Sequence, residues 1–262
     1  MTETLTKKDY LNKQKYDQTT GELLVAERHE IRKGKTTLVA STHGASITSL
    51  TMDNREIVKP GKFSNALDDK DTWGNIHVCF PMIGIAADST HPHIPKHGLI
   101  GEGSKWEYDP DSTTNKLIFT LQGKNTLAEA VGYPEDFVCK SIYSIEEDGS
   151  VDLRLIVNNI GSDPLPVAPG WHPYFDNPSG QLEDVSVIFP DTGVEITHSN
   201  GAMSLQQLDK TIETSLDGEA LIVFKDGFKI SINALDGFDG NDDDIVDIVM
   251  LIRNRQTIRE RE

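Results

Sequence analysis

The stretch FVCKSIYSIEEDGSVDLRLIVNN, residues 137–159, alternates apolar and mostly polar residues on both sides of Asp148-Gly149. In its second half Val151, Leu153, Leu155 and Val157 take turns with Asp152, Arg154, Ile156 and Asn158. A period of two sends successive side chains to opposite faces, which is the pattern of a half-buried strand. An Asp-Gly pair accepts the positive φ of a tight turn. Two alternating runs joined by such a pair predict an antiparallel hairpin with one buried face.

The same pattern recurs outward from this hairpin. Phe228, Ile230 and Ile232 alternate with Lys229, Ser231 and Asn233. Further strand-like runs stand at 23–31, 36–40, 46–52, 76–80, 116–122, 185–189, 220–224 and 245–252. Asn200-Gly201, Asp217-Gly218, Asp226-Gly227 and Asp236-Gly237 mark turns between them. One short helix is expected over NTLAEAV, residues 125–131, and no long amphipathic helix. Many short strands with regular turns predict an all-β chain, a large antiparallel β-sandwich or barrel. No Gly/Ser/Pro-rich linker divides the chain. A polar N-terminal arm over 1–20 and a single domain over 21–262 are therefore expected.

Composition narrows the function classes. Hydrophobic residues make up 37% of the 262 residues and charged residues 26%, enough apolar material for a packed core. No apolar run approaches the roughly 18 residues that a membrane span needs, so no membrane partner is expected. The first residues, MTETLTKKDYLNKQKY, lack the apolar stretch of a secretory signal. With 42 acidic and 25 basic residues the net charge is −17, which repels nucleic acid and anionic lipid. Cys79 and Cys139 are too few for a disulfide framework and suit a reducing compartment. A cytoplasmic protein without a nucleic-acid partner is the expectation.

Two segments stand out from the strand pattern. The first, residues 74–106, sets His77, His91, His93 and His97 among glycines and prolines. His91-x-His93-x3-His97, with His172 as a later ligand, invites a metal-dependent, cupin-like reading. Against it, no acidic ligand follows at the required position and Pro92 and Pro95 interrupt the strand. His91 and His93 are therefore read as loop residues, and no metal is expected. The second segment, PVAPGWHPYFDNP at 166–178, holds His172 between Trp171 and Tyr174 in a proline-rich frame. Proline fixes φ and removes a donor, so this is a rigid path at or beyond a strand end. Rigid flanks are what a preorganised site needs. Cys79 lies two residues after His77 and reads as a small core residue rather than a nucleophile.

Three blocks carry a family resemblance. They are Gly74-Asn75-Ile76-His77 leading into Phe80-Pro81-x-x-Gly84, then Pro95-Lys96-His97-Gly98 followed by Trp106, then His172-Pro173-Tyr174-Phe175. In this order and spacing the chain resembles the aldose 1-epimerase (galactose mutarotase-like) superfamily over about residues 36–252. It looks closest to the branch of hexose-6-phosphate epimerases. The resemblance implies a galactose mutarotase-like supersandwich that binds a small-molecule sugar and exchanges its α and β anomers, with no cofactor. It implies His172 as the general acid and His97 as a second catalytic histidine near the same oxygen. Asn75, His77 and Lys96 would then bond sugar hydroxyls, and Trp171 or Tyr174 would pack on the sugar's apolar face.

The chain departs from the family pattern in three places. His97-Gly98-Leu99 continues to Ile100 and Gly101, and Thr72-Trp73 precedes Gly74, so neither arginine typical of the sugar-phosphate branch is present. An unphosphorylated hexose is the stronger expectation. The family's base sits in a late Glu-Pro pair, whereas this chain ends RNRQTIRERE. That leaves three alternatives: a shortened form missing its C-terminal strands, another carboxylate as base, or an inactive carbohydrate-binding relative. Glu260 and Glu262 are the nearest carboxylates in sequence, and the base stays unassigned.

Overall fold

The computed structural model describes residues 26–58, 75–83, 94, 97–99, 104–126, 128–181, 184–190, 194–197, 219–236 and 245–254. The expected arm at 1–20, His91, His93, Lys96, Glu260 and Glu262 lie outside these residues, as do the turn pairs Asn200-Gly201 and Asp217-Gly218.

The hairpin of residues 137–159 forms as its alternation predicts. Phe137–Ile145 and Val151–Asn159 pair in unbroken antiparallel register from Phe137↔Asn159 to Ile145↔Val151. Phe137, Cys139, Tyr143, Val151, Leu153, Leu155 and Val157 point one way and are buried. Gly149, at φ 80°, closes the turn as expected of the Asp-Gly pair.

In chain order the strands are β1 (Arg28–Lys33), β2 (Thr36–Ser41), β3 (Ile47–Met52), β4 (Arg55–Glu56) and β5 (Ile76–Cys79). Then come β6 (Glu107–Tyr108), β7 (Lys116–Gln122), β8 (Phe137–Ile145), β9 (Val151–Asn159) and β10 (Gly170–Pro173). The last are β11 (Val185–Phe189), β12 (Val194–Thr197), β13 (Glu219–Phe224), β14 (Lys229–Asp236) and β15 (Ile245–Asn254). They form two antiparallel sheets. A six-stranded sheet runs β1-β2-β3-β5-β10, with β4 hung on β3. A nine-stranded sheet runs β12-β11-β13-β14-β15-β9-β8-β7-β6. The inner faces meet in one apolar core that joins Leu38, Ile47, Leu50, Ile76 and Val78 to Phe119, Tyr143, Leu153, Ile230 and Ile252. The Tyr143 hydroxyl crosses that core and donates to the Ala45 carbonyl at 2.5 Å. The expected β-sandwich is therefore the fold.

Two local expectations need correction. The helix expected over 125–131 is only a 3-10 turn at Gly123–Asn125 and one helical turn at Ala128–Val131. Thr126 starts that turn by accepting from the Ala128 N–H at 3.1 Å, and Gly132 ends it at φ 70°. The start and stop signals stand too close together for a longer helix. The proline-rich stretch after 166 is not wholly outside the sheet either, because Gly170–Pro173 is strand β10. Pro173 is its last residue, where a missing N–H costs least.

Candidate functional site

The site grows from the pairing of β5 with β10. Their register sets Gly170 opposite Cys79, Trp171 opposite Val78, His172 opposite His77 and Pro173 opposite Ile76. Alternation along each strand then separates two faces. Ile76, Val78 and Trp171 join the core. His77, Cys79, Gly170 and His172 share the other face, away from the nine-stranded sheet. Trp171 is thus turned from the histidines, and of the two aromatic residues expected beside them only Tyr174 stands there. It follows His172 by two residues, its N–H donates to the Asn75 carbonyl at 2.9 Å, and its ring stacks on His172 with centroids 4.7 Å apart.

The cross-strand imidazoles of His77 and His172 lie nearly parallel, at 8° and 5.2 Å between centroids. His97 reaches the same place from a separate strap. Its ring meets His172 edge to face at 4.8 Å and 82°, and His77 at 6.2 Å. The strap is held by backbone geometry. Gly98 bridges Phe80 in parallel, and the Leu99 N–H donates to the Phe80 carbonyl at 2.5 Å. Gly98 has φ 93°, and a Cβ there would stand 1.9 Å from the Phe80 oxygen. Only glycine lets the chain pass this close. His97 and Asn75, beside the cluster, adopt left-handed φ values of 67° and 69°. Such conformations cost free energy in non-glycine residues and persist where surrounding structure imposes them, often at functional sites.

The electrostatics separate the members. His77 is 8% exposed, and its pKa is lowered to about 4, first by burial and then by the neighbouring His172 and His97. It is neutral at physiological pH. No carboxylate of the described residues is among the causes of that shift. Cys79 is fully buried and its thiol is pushed up to about 12 by burial, which leaves it inert at neutral pH. Among the described residues no three His, Cys, Asp or Glu side chains are placed to hold a metal ion. No helix among them is long and apolar enough to cross a membrane.

Of the site residues expected from sequence, the rings of His77, His97 and His172 come together, Tyr174 stacks against His77 and His172, and Asn75 adjoins them through its backbone. Lys96 lies outside the described residues. One neighbour had escaped notice. The Ile83 side chain lies over Gly170, where an added Cβ would meet Ile83 Cδ1 at 2.4 Å. In sequence Ile83 is only an unspecified position of Phe80-Pro81-x-x-Gly84, and no local signal marks it.

The chain matches the family model described as aldose 1-epimerase over residues 27–239. The uncharacterized protein YphB of Escherichia coli (strain K12) is 24% identical over 162 residues, which is 56% of this chain and 51% of that protein. The matched region thus spans about half the length of that relative. Among solved structures, a galactose mutarotase related enzyme from Lactobacillus acidophilus aligns with TM-score 0.62 and 15% identity, over 86% of this chain and 84% of that one. The GalM/aldose epimerase homologue from C. elegans aligns with TM-score 0.59 and 14% identity, over 88% and 99%. A galactose mutarotase-like protein from Lactobacillus casei ATCC 334 aligns with TM-score 0.56 and 17% identity, over 86% and 87%. These structural likenesses show the supersandwich fold.

Proposed function

The chain belongs to the aldose 1-epimerase family, and from that premise we propose that it interconverts the α and β anomers of a hexose, with His172 as general acid. The observation that carries this reading is the gathering of His172, His97 and Tyr174 around neutral His77 on one face of β5 and β10. Ring opening needs one proton given and one taken. His172 gives its proton to the ring oxygen as the C1–O5 bond breaks. A base takes the C1 hydroxyl proton, and C1 becomes an aldehyde. Rotation about C1–C2 turns the other face of the carbonyl to O5. Closure returns both protons and yields the other anomer. Histidine suits the acid role because its ordinary pKa lies near neutrality.

His97, edge-on to His172, is the second catalytic histidine of this reading and bonds the sugar near the same oxygen. His77 and Asn75 offer polar atoms to hydroxyls, with Lys96 assigned the same role from its motif. The base remains unassigned. A hexose without phosphate is the favoured substrate, since the arginines of the sugar-phosphate branch are replaced.

The test is the rate of α to β exchange by polarimetry or exchange NMR, with glucose, galactose and glucose 6-phosphate. Acceleration that falls at least about 100-fold in His172→Ala, with an unchanged melting temperature, supports the acid role. Full activity in that variant overturns it. Sugar binding without acceleration would instead identify a carbohydrate-binding relative.

A further inference from the structure

We propose that Ile83 is a substrate-contacting wall of the histidine site, seated against the apolar C–H face of the bound sugar; this rests on the reading of the site as a hexose site. Gly170 and His172 are two residues apart on β10 and therefore project to the same face, about 7 Å from each other along the strand. A Cβ built on Gly170 would stand 2.4 Å from Ile83 Cδ1. The Ile83 side chain thus fills the place that a side chain at 170 would take, in the row next to the His77–His172 pair. Its backbone is fixed there. The Ile83 N–H donates to the Ala168 carbonyl at 3.2 Å, and the Ala168 N–H donates to the Pro81 carbonyl at 2.6 Å.

Ile83 is nonetheless 49% exposed, unlike the apolar side chains of the core. A large aliphatic group held by its backbone beside polar imidazoles, and half open to water, has apolar surface left to bury. On the other side of His172 stands the Tyr174 ring, 4.7 Å away. The imidazole row is therefore bracketed by two apolar groups. A pyranose presents hydroxyls at its edge and C–H bonds on its faces, so it needs this division of donors and apolar walls. A charged substituent at the Ile83 end would lose water without gaining a partner from that side chain.

The test compares anomer-exchange kinetics of the full chain with its Ile83→Ala, Ile83→Asn and Ile83→Leu variants on glucose and galactose. Ala and Asn are expected to raise KM about 3- to 10-fold with kcat within about twofold, the pattern of lost ground-state binding. Leu keeps the wall and stays within about twofold of the parent on both constants. Unchanged KM in Ala and Asn, or a fall in kcat alone, overturns the proposal. Melting curves confirm that each variant is folded. Should the parent accelerate no sugar, the catalytic reading fails, and the wall is tested by titrating galactose and following the Ile83 methyl resonances. Shifts in those methyls, with weaker binding by Ile83→Ala, support it. Silent methyls or no binding overturn it.

Discussion

The β8–β9 hairpin and the β5–β10 pair are both antiparallel, yet they are built by different means. The hairpin carries nine residues per strand, a local turn and a full apolar face. The site pair carries four per strand, and its halves are distant in sequence. All four residues of β5 are buried, so its burial does not alternate although its side chains do. Its surroundings add parallel bridges at Phe80–Gly98 and Met82–Ala168 and left-handed residues at Asn75 and His97. Where pairing is long and one-sided, the strand serves stability. Where it is short and held by straps, polar side chains can be gathered on the face turned away from the core, while Ile76, Val78 and Trp171 anchor the other face.

The sharpest way to break this contrast is Leu153→Ala. Leu153 is fully buried in β9, opposite Tyr143 of β8. Removing it is expected to cost about 3 kcal/mol in denaturant unfolding. The exchange rate per folded molecule should stay within about twofold of the parent. A loss of rate as large as that of His172→Ala would mean that the two regions are not separable.

Acid should act on the site pair next. His77 titrates at about 4 in the folded chain against the ordinary 6.5. The unfolded chain therefore binds more protons between those values. Stability is full above pH 6.5 and is lost as pH falls toward 4. Between pH 7 and pH 5 the loss from this group is about 2 kcal/mol. Denaturant midpoints at the two pH values measure it, and His77→Phe should flatten the dependence by that amount. An unchanged slope in the variant would show that His77 is not the group buried neutral.

The smallest effect is expected at Lys33, which pairs with Glu147 across the turns of β1–β2 and β8–β9. Glu147 is 92% exposed, so the pair is screened by water. Lys33→Ala should shift unfolding by less than about 0.5 kcal/mol. A larger shift would show that the first hairpin leans on the second through charge as well as through the core.

Legibility from sequence follows the same division. β7, β8 and β11 occupy the strand runs read from sequence, because alternation is local and needs no knowledge of partners. β4, β6, β10 and β12 were not foreseen. They have two to four residues each, too few for a period to appear, and they exist because a neighbour supplies hydrogen bonds. At the site, His172, His97, His77 and Tyr174 were legible through motif resemblance. The choice between Trp171 and Tyr174 stayed open in the sequence, because β10 was not read as a strand and its alternation, which turns Trp171 to the core, was not applied. Ile83 was missed because its place over β10 depends on the absent side chain of Gly170, far along the chain.

Residue order alone determined that this chain is all-β, which face of the β8–β9 hairpin is buried and that Asp148-Gly149 and Asp226-Gly227 make turns. Those properties are set by side-chain type and by a two-residue period. The tertiary structure decided that His77 faces His172, that His97 reaches them edge-on past Gly98, and that Ile83 closes the row while Trp171 turns to the core. These are register and packing outcomes between segments remote in sequence. A shift of one residue in the β5–β10 register would part His77 from His172, and no local pattern encodes that register.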